Sequence, residues 1–99
     1  MKVWKAAEGL WHWSVTASDG RERVSTYYEA PGAVVLVDPE IPPEGDPEAA
    51  RFWRALDGDV ARLARPVVVV LADPDRAESA ARVLARYRDG AGARILRAC

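Results

Sequence analysis

The chain has one cysteine, Cys99, and one histidine, His12, among its 99 residues. A single cysteine excludes an internal disulfide and fits a reducing cytoplasm. One histidine and one cysteine also exclude a zinc site built from His and Cys ligands within one chain. No apolar run approaches the ~20 residues of a membrane span. The opening Met1-Lys2-Val3-Trp4-Lys5 lacks the apolar core of a secretory signal, so no membrane role is expected. Asparagine and glutamine are absent, and two lysines stand against 12 arginines. Together with 18 alanines, this skew points to GC-rich coding rather than to a function. Neither sign of charge dominates. Fourteen basic residues face 15 acidic ones, and a net charge of −1 exerts no general pull on nucleic acid or an anionic membrane.

What is present suffices for one small core. Hydrophobic residues make up 49% of the chain, which sets one domain over residues 1–99. Leu10 to Thr16 alternates Trp11, Trp13 and Val15 with His12, Ser14 and Thr16, a strand period. Ser18-Asp19-Gly20 marks a turn, and Arg23 to Glu29 is a second β-prone run, so a hairpin is expected. After Pro31-Gly32, Ala33 to Val37 reads as a short apolar strand ending at Asp38. Residues 38–48 hold five acids, four prolines and no base, the pattern of a stiff surface connection.

Asp46-Pro47 opens a helix, with the aspartate as cap and proline in the first turn. Ala49, Phe52, Trp53, Leu56, Val60 and Leu63 give it one apolar face, and Pro66 ends it. Val67 to Leu71 is continuously apolar, as in a strand covered on both faces. A second helix is expected over 75–88, with Ala77, Ala80, Ala81, Leu84 and Tyr87 inward and Gly90 as its left-handed stop. Ala93 to Leu96 is a last strand. The order β-β-β-α-β-α-β implies an α/β fold with a mixed sheet.

Three stretches then resemble the N-terminal half of a metallo-β-lactamase-fold hydrolase. They are Glu8-Gly9-Leu10-Trp11-His12-Trp13, Gly32 through Pro39, and the first helix followed by Arg65-Pro66 and Val67 to Leu71. The resemblance spans nearly the whole chain and implies half of an αββα sandwich. In that family the last of these strands runs into a His-x-His-x-Asp-His motif that holds zinc. Here the same place reads Asp73-Pro74-Asp75-Arg76-Ala77-Glu78, without a histidine. The resemblance therefore implies a hydrolase-like protein with an eroded metal site, no bound cofactor and no catalytic residue to name. In the family, the remaining ligands lie in a second half of similar size.

Asp73, Asp75 and Glu78 are the candidate metal ligands, hard oxygen donors suited to Mg²⁺ and not to zinc. Asp75 and Glu78 also have the spacing of a helix cap and its third residue, and that reading is preferred. Asp38 flanks the same sheet end, and its plainer role is to accept backbone hydrogen bonds in the turn before Pro39. Asp73-Pro74-Asp75-Arg76 after a valine run also resembles the Mg²⁺-binding motif of Toprim domains, which perform phosphoryl transfer on nucleic acid. That family needs a glutamate partner, for which Glu29 is the nearest candidate.

His12, alternating with its tryptophan neighbours, is expected on the opposite face from both and without a catalytic role. The aromatic residues Trp4, Trp11, Trp13, Trp53, Tyr27 and Tyr28 read first as core and second as interface. Arg82, Arg86 and Arg88 read as a solvated helix face. Two helices cover only one face of Val67 to Leu71. The other face would join Trp and Val side chains of the hairpin in an apolar patch that a second copy could cover, giving a homodimer.

Overall fold

The computed structural model describes residues 1–98; Cys99, the single cysteine, lies outside the described residues. Strands β1 (Lys2–Ala7), β2 (Leu10–Thr16), β3 (Glu22–Ala30) and β4 (Ala33–Val37) form an antiparallel meander. Helix α1 (Pro47–Leu63) then leads to β5 (Val67–Leu71), and α2 (Ala77–Tyr87) leads to β6 (Ala93–Arg97). The last three strands are parallel, so the six-stranded sheet is mixed and runs in chain order, β1 to β6.

The expected order thus lacks one strand. β1 is exposed along its whole length and has no apolar alternation. Its ladder to β2, Lys2 against Ser14 through Lys5 against Trp11, forms it, not side-chain burial, so periodicity alone misses it. Gly9, at φ +74, makes the tight return to β2.

Both crossovers place their helices on one face of the sheet. That face buries Trp13, Val15, Tyr27, Val34, Leu36, Val67, Val69 and Leu71 against Phe52, Leu56, Val60, Ala80, Val83 and Tyr87. Asp46 caps α1 as its sequence implies, its side chain accepting from the Glu48 N–H at 2.9 Å. α2 differs from expectation in two ways. Ser79, Ala80, Val83 and Tyr87 face inward, whereas Ala77 and Ala81 are exposed. The left-handed glycine is Gly92, at φ +93, whose N–H donates to the Tyr87 carbonyl at 2.8 Å; Gly90 is not left-handed.

The connection over residues 38–46 is less superficial than its charge implies. Pro39 and Ile41 are buried, and the Ile41 N–H donates to Ser79 Oγ at 3.2 Å. The indole N–H of Trp13 donates to the Glu40 carbonyl at 2.9 Å. Wedged against the core, the loop keeps Asp38 and Glu40 at the carboxyl ends of β4 and β5, while Asp46 caps α1.

The helices are tied to each other by Asp57. Arg86 donates to both its oxygens, Nε at 2.9 Å and Nη2 at 2.6 Å, and the Tyr87 hydroxyl adds a bond of 2.7 Å. Arg86, then Tyr87, holds the Asp57 carboxyl below the usual aspartate range. Its folded value lies under the unfolded one, so the stability it adds is complete above ~pH 4 and disappears as pH falls through the folded value. Asp57→Asn is expected to flatten the acid limb of a stability–pH curve. Because the carboxylate is half exposed, the loss at neutral pH stays below ~1 kcal/mol in urea titrations.

Candidate functional site

Two regions bear on function: the acidic cluster at the carboxyl ends of β4 and β5, and the sheet face opposite the helices.

At the first, Asp38 sits just past β4 with φ +46, a left-handed position that aspartate tolerates better than most residues. Its Oδ1 accepts the Ala72 N–H at 2.8 Å and the Asp73 N–H at 2.9 Å. Asp38 therefore clamps the ends of two neighbouring strands and does not serve the local turn expected of it.

Asp73 is the cap of the segment that follows. Its Oδ1 accepts the Asp75 N–H at 3.0 Å and opens a 3₁₀ turn, Pro74–Arg76, that runs into α2. The cap expected of Asp75 and Glu78 is therefore not formed; Asp73 caps the segment in their place. α2 itself has no side-chain cap bond. Asp75 and Glu78 are exposed, and among the described residues no three His, Cys, Asp or Glu side chains converge. Asp73→Ala is expected to cost about 1 kcal/mol, whereas Asp75→Ala costs close to nothing. Thermal melts of the two variants compare them directly.

The group that organises this cluster is Arg76, to which sequence reasoning gave no role. Its side chain is only 11% exposed. Nη1 donates to the carbonyls of Val24, at 2.9 Å, and Asp38. Nε lies 3.5 Å from Asp73 Oδ2 and 3.7 Å from Glu40 Oε2, in ion-pair contact but without a hydrogen bond of its own. Ser25 completes the arrangement. Its hydroxyl donates to the Asp38 carbonyl at 2.9 Å and accepts the Glu40 N–H at 2.8 Å. Of the three candidate ligands, Arg76 pairs with Asp73 alone; its second carboxylate partner is Glu40.

Glu29 is not brought to this cluster. It lies toward the end of β3 that pairs with the start of β4, opposite Val34, whereas Asp73 follows the carboxyl end of β5. There Arg62 Nη2 donates to Glu29 Oε1 at 2.7 Å and holds its carboxyl below the usual range.

The second region is the open sheet face. One row of paired residues crosses all six strands: Trp4, His12, Thr26, Val37, Val70 and Leu96. A second row carries Leu10, Tyr28, Val35, Val68 and Arg94. Trp4, Val24, Tyr28 and Leu96 are each more than 40% exposed, the combination that makes this face apolar and uncovered. His12 lies on it as expected, away from Trp11 and Trp13. Its Nδ1 is 3.0 Å from Thr26 Oγ1, and its ring is 5.7 Å from that of Trp4. The tryptophan of this face is Trp4, from the unforeseen strand. Trp11 and Trp13 point to the helix side, where Trp13 packs on Phe52.

No protein-family model, curated protein or solved structure matches this chain. Among the described residues no helix is long and apolar enough to cross a membrane.

Proposed function

We propose that this chain is a metallo-β-lactamase-type α/β layer whose metal site has been replaced by a structural ion pair, and that it works as a dimerisation module and not as a hydrolase. The observation that carries the reading is the row Trp4–His12–Thr26–Val37–Val70–Leu96, apolar over most of its length and facing away from both helices. Charged strand residues of that face, Lys2, Glu22 and Arg94, lie at its margins. An apolar centre with a polar rim is the anatomy of a protein interface.

Area supports a second copy as the occupant. Six strands at ~4.8 Å spacing and roughly 20 Å mean length project on the order of 600 Å². That approaches the ~800 Å² per partner of a standard interface. Edge pairing is disfavoured by comparison, because β1 carries Lys2 and Lys5 and β6 carries Arg94 and Arg97, charges that guard sheet edges. Sheet-on-sheet packing about a two-fold axis remains and would complete a sandwich. With its one cysteine, such a module suits a reducing cytoplasm.

The resemblance that supplies the family reading is supported by the placement of residues 73–78 just after β5, beside the Asp38 clamp. Within that reading, Arg76 supplies the positive charge beside Asp73. A Mg²⁺-dependent Toprim-type reading is disfavoured because its candidate glutamate, Glu29, lies with Arg62 at the other end of the sheet.

The test is an isotope-filtered NOE experiment on a mixture of labelled and unlabelled chains. The proposal requires intermolecular contacts at the methyls of Val70 and Leu96 and at the rings of Trp4 and Tyr28. Intermolecular contacts confined to the helix face would refute it.

A further inference from the structure

The helix layer is narrower than the sheet. Two helices, each about 10 Å across, cover roughly four strands at ~4.8 Å spacing. The β1 end of the sheet therefore extends past α1, and a groove of about 240 Å³ opens between them. Val3, Trp11 and Trp13 form its sheet wall, and Phe52 and Leu56 its helix wall. Trp13, Phe52 and Leu56 are buried, whereas Val3 and Trp11 are 50% and 36% exposed, so a packed apolar floor meets an open mouth.

The rim holds charges of both signs, and each is met within the chain. Asp59, a lining residue, accepts from Arg62 Nη2 at 3.2 Å. Glu29 accepts from the same nitrogen at 2.7 Å and is attracted by Arg65 as well. The ammonium of Met1, which also lines the groove, lies 3.3 Å from Glu48 Oε2. Lys5, 5.8 Å from the centre of the Trp11 ring, is held by Glu8 at 2.8 Å. Inside, the Tyr27 hydroxyl donates to Glu29 at 3.0 Å, and the Trp13 indole N–H is spent on the Glu40 carbonyl. A charged ligand of either sign would shed water here without gaining a free counter-charge, which is costly.

We propose that this groove binds a small uncharged molecule built on two fused aromatic rings, lying against Trp11, Trp13 and Phe52. Size sets the number of rings. An apolar cavity of ~150 Å³ takes one benzene ring, and the larger groove here adds the room of a second. The walls set the shape, because aromatic pairs in offset or edge contact gain more than their buried area alone supplies. The balanced rim sets the charge at zero. The groove lies on the opposite side of the sheet from the proposed dimer face, so the two proposals stand or fall separately.

The four tryptophans give the test an internal control. Trp11 and Trp13 line the groove, whereas Trp4 faces the open sheet and Trp53 packs between the helices. Indole N–H resonances of the ¹⁵N-labelled chain are followed during titration with naphthalene-2-methanol, naphthalene-2-methylammonium and naphthalene-2-carboxylate, which share one ring system and differ in charge. Saturable shifts of Trp11 and Trp13 below ~1 mM, with Trp4 and Trp53 unmoved, are expected for the alcohol. The ammonium and the carboxylate should each bind at least ~10-fold more weakly, since each leaves a charge without a partner. Benzyl alcohol, smaller by one ring, should be about 10-fold weaker through the burial it loses. Ala55→Leu, at an exposed position that lines the groove, should abolish binding by filling it. Any of three results would overturn the proposal: no saturable shift of Trp11 and Trp13 by naphthalene-2-methanol below ~1 mM, a charged probe or benzyl alcohol that binds as tightly, or an Ala55→Leu variant that binds as before.

Discussion

Val70→Glu is expected to raise the dissociation constant of the proposed dimer by about a thousandfold, or roughly 4 kcal/mol. Val70 lies near the middle of the row that crosses the open face, between Val37 and Leu96. Stacked sheets lie ~10 Å apart with their side chains interdigitated, so a carboxylate at this position would be buried without a partner. An unpaired buried charge costs several kcal/mol. The two-fold symmetry of the proposed dimer places the substitution in the interface twice. In a monomer the same carboxylate points to water, and the fold loses no more than about 1 kcal/mol. Leu96→Glu, at an exposed edge position, makes the same test with less effect on folding. Concentration-dependent light scattering of both variants reads the effect. A face without a partner predicts that neither substitution changes the mass.

Arg76→Ala is expected to cost about 3 kcal/mol of folding stability. The truncation leaves the Asp73 and Glu40 carboxylates without their shared cation, and removes the guanidinium donor from the Val24 and Asp38 carbonyls, the second of which keeps only Ser25. Breaking a fully buried pair from one side costs ~3–5 kcal/mol. The lower end applies here, because the Asp73 side chain is 40% exposed and water can reach it. Urea unfolding measures the loss. Arg76→Lys should recover only part of it, since a lysine cannot span two carbonyls and two carboxylates with a planar fork. A loss below ~0.5 kcal/mol for Arg76→Ala would mean that the guanidinium is ordinary surface charge.

Much of the fold was legible because burial writes a period into sequence. β2 shows the strand period, and α1 shows both its cap and its apolar face. The unbroken run of β5 reads as a strand covered on both faces; the helices cover one, and Val68 and Val70 lie on the other. Elements held by backbone bonding left no such mark. β1 buries none of its side chains, so nothing in Lys2 to Ala7 alternates. The turn after α2 needed one left-handed glycine. With Gly90 and Gly92 two residues apart, composition does not choose between them; the closure of Gly92 N–H onto Tyr87 does.

The acidic segment was legible in its location and not in its bonding. The sequence pattern shows that Asp73, Asp75 and Glu78 follow a buried strand. Which aspartate caps depends on whether the first turn is α or 3₁₀, a difference of one hydrogen bond. Arg76 escaped notice because its partners Val24, Ser25, Asp38 and Glu40 lie 36 to 52 residues earlier in the chain. No local spacing encodes such a contact. The open face was foreseen in kind, but its tryptophan was misplaced, since Trp4 belongs to the strand without a period.

Sedimentation equilibrium of the unmodified chain at ten to a few hundred micromolar tests the central claim most directly. A dimer that closes the open face predicts a mass of twice 10.8 kDa, falling toward 10.8 kDa on dilution. A single species of 10.8 kDa over the whole range, with no hydrophobic dye bound, would contradict it.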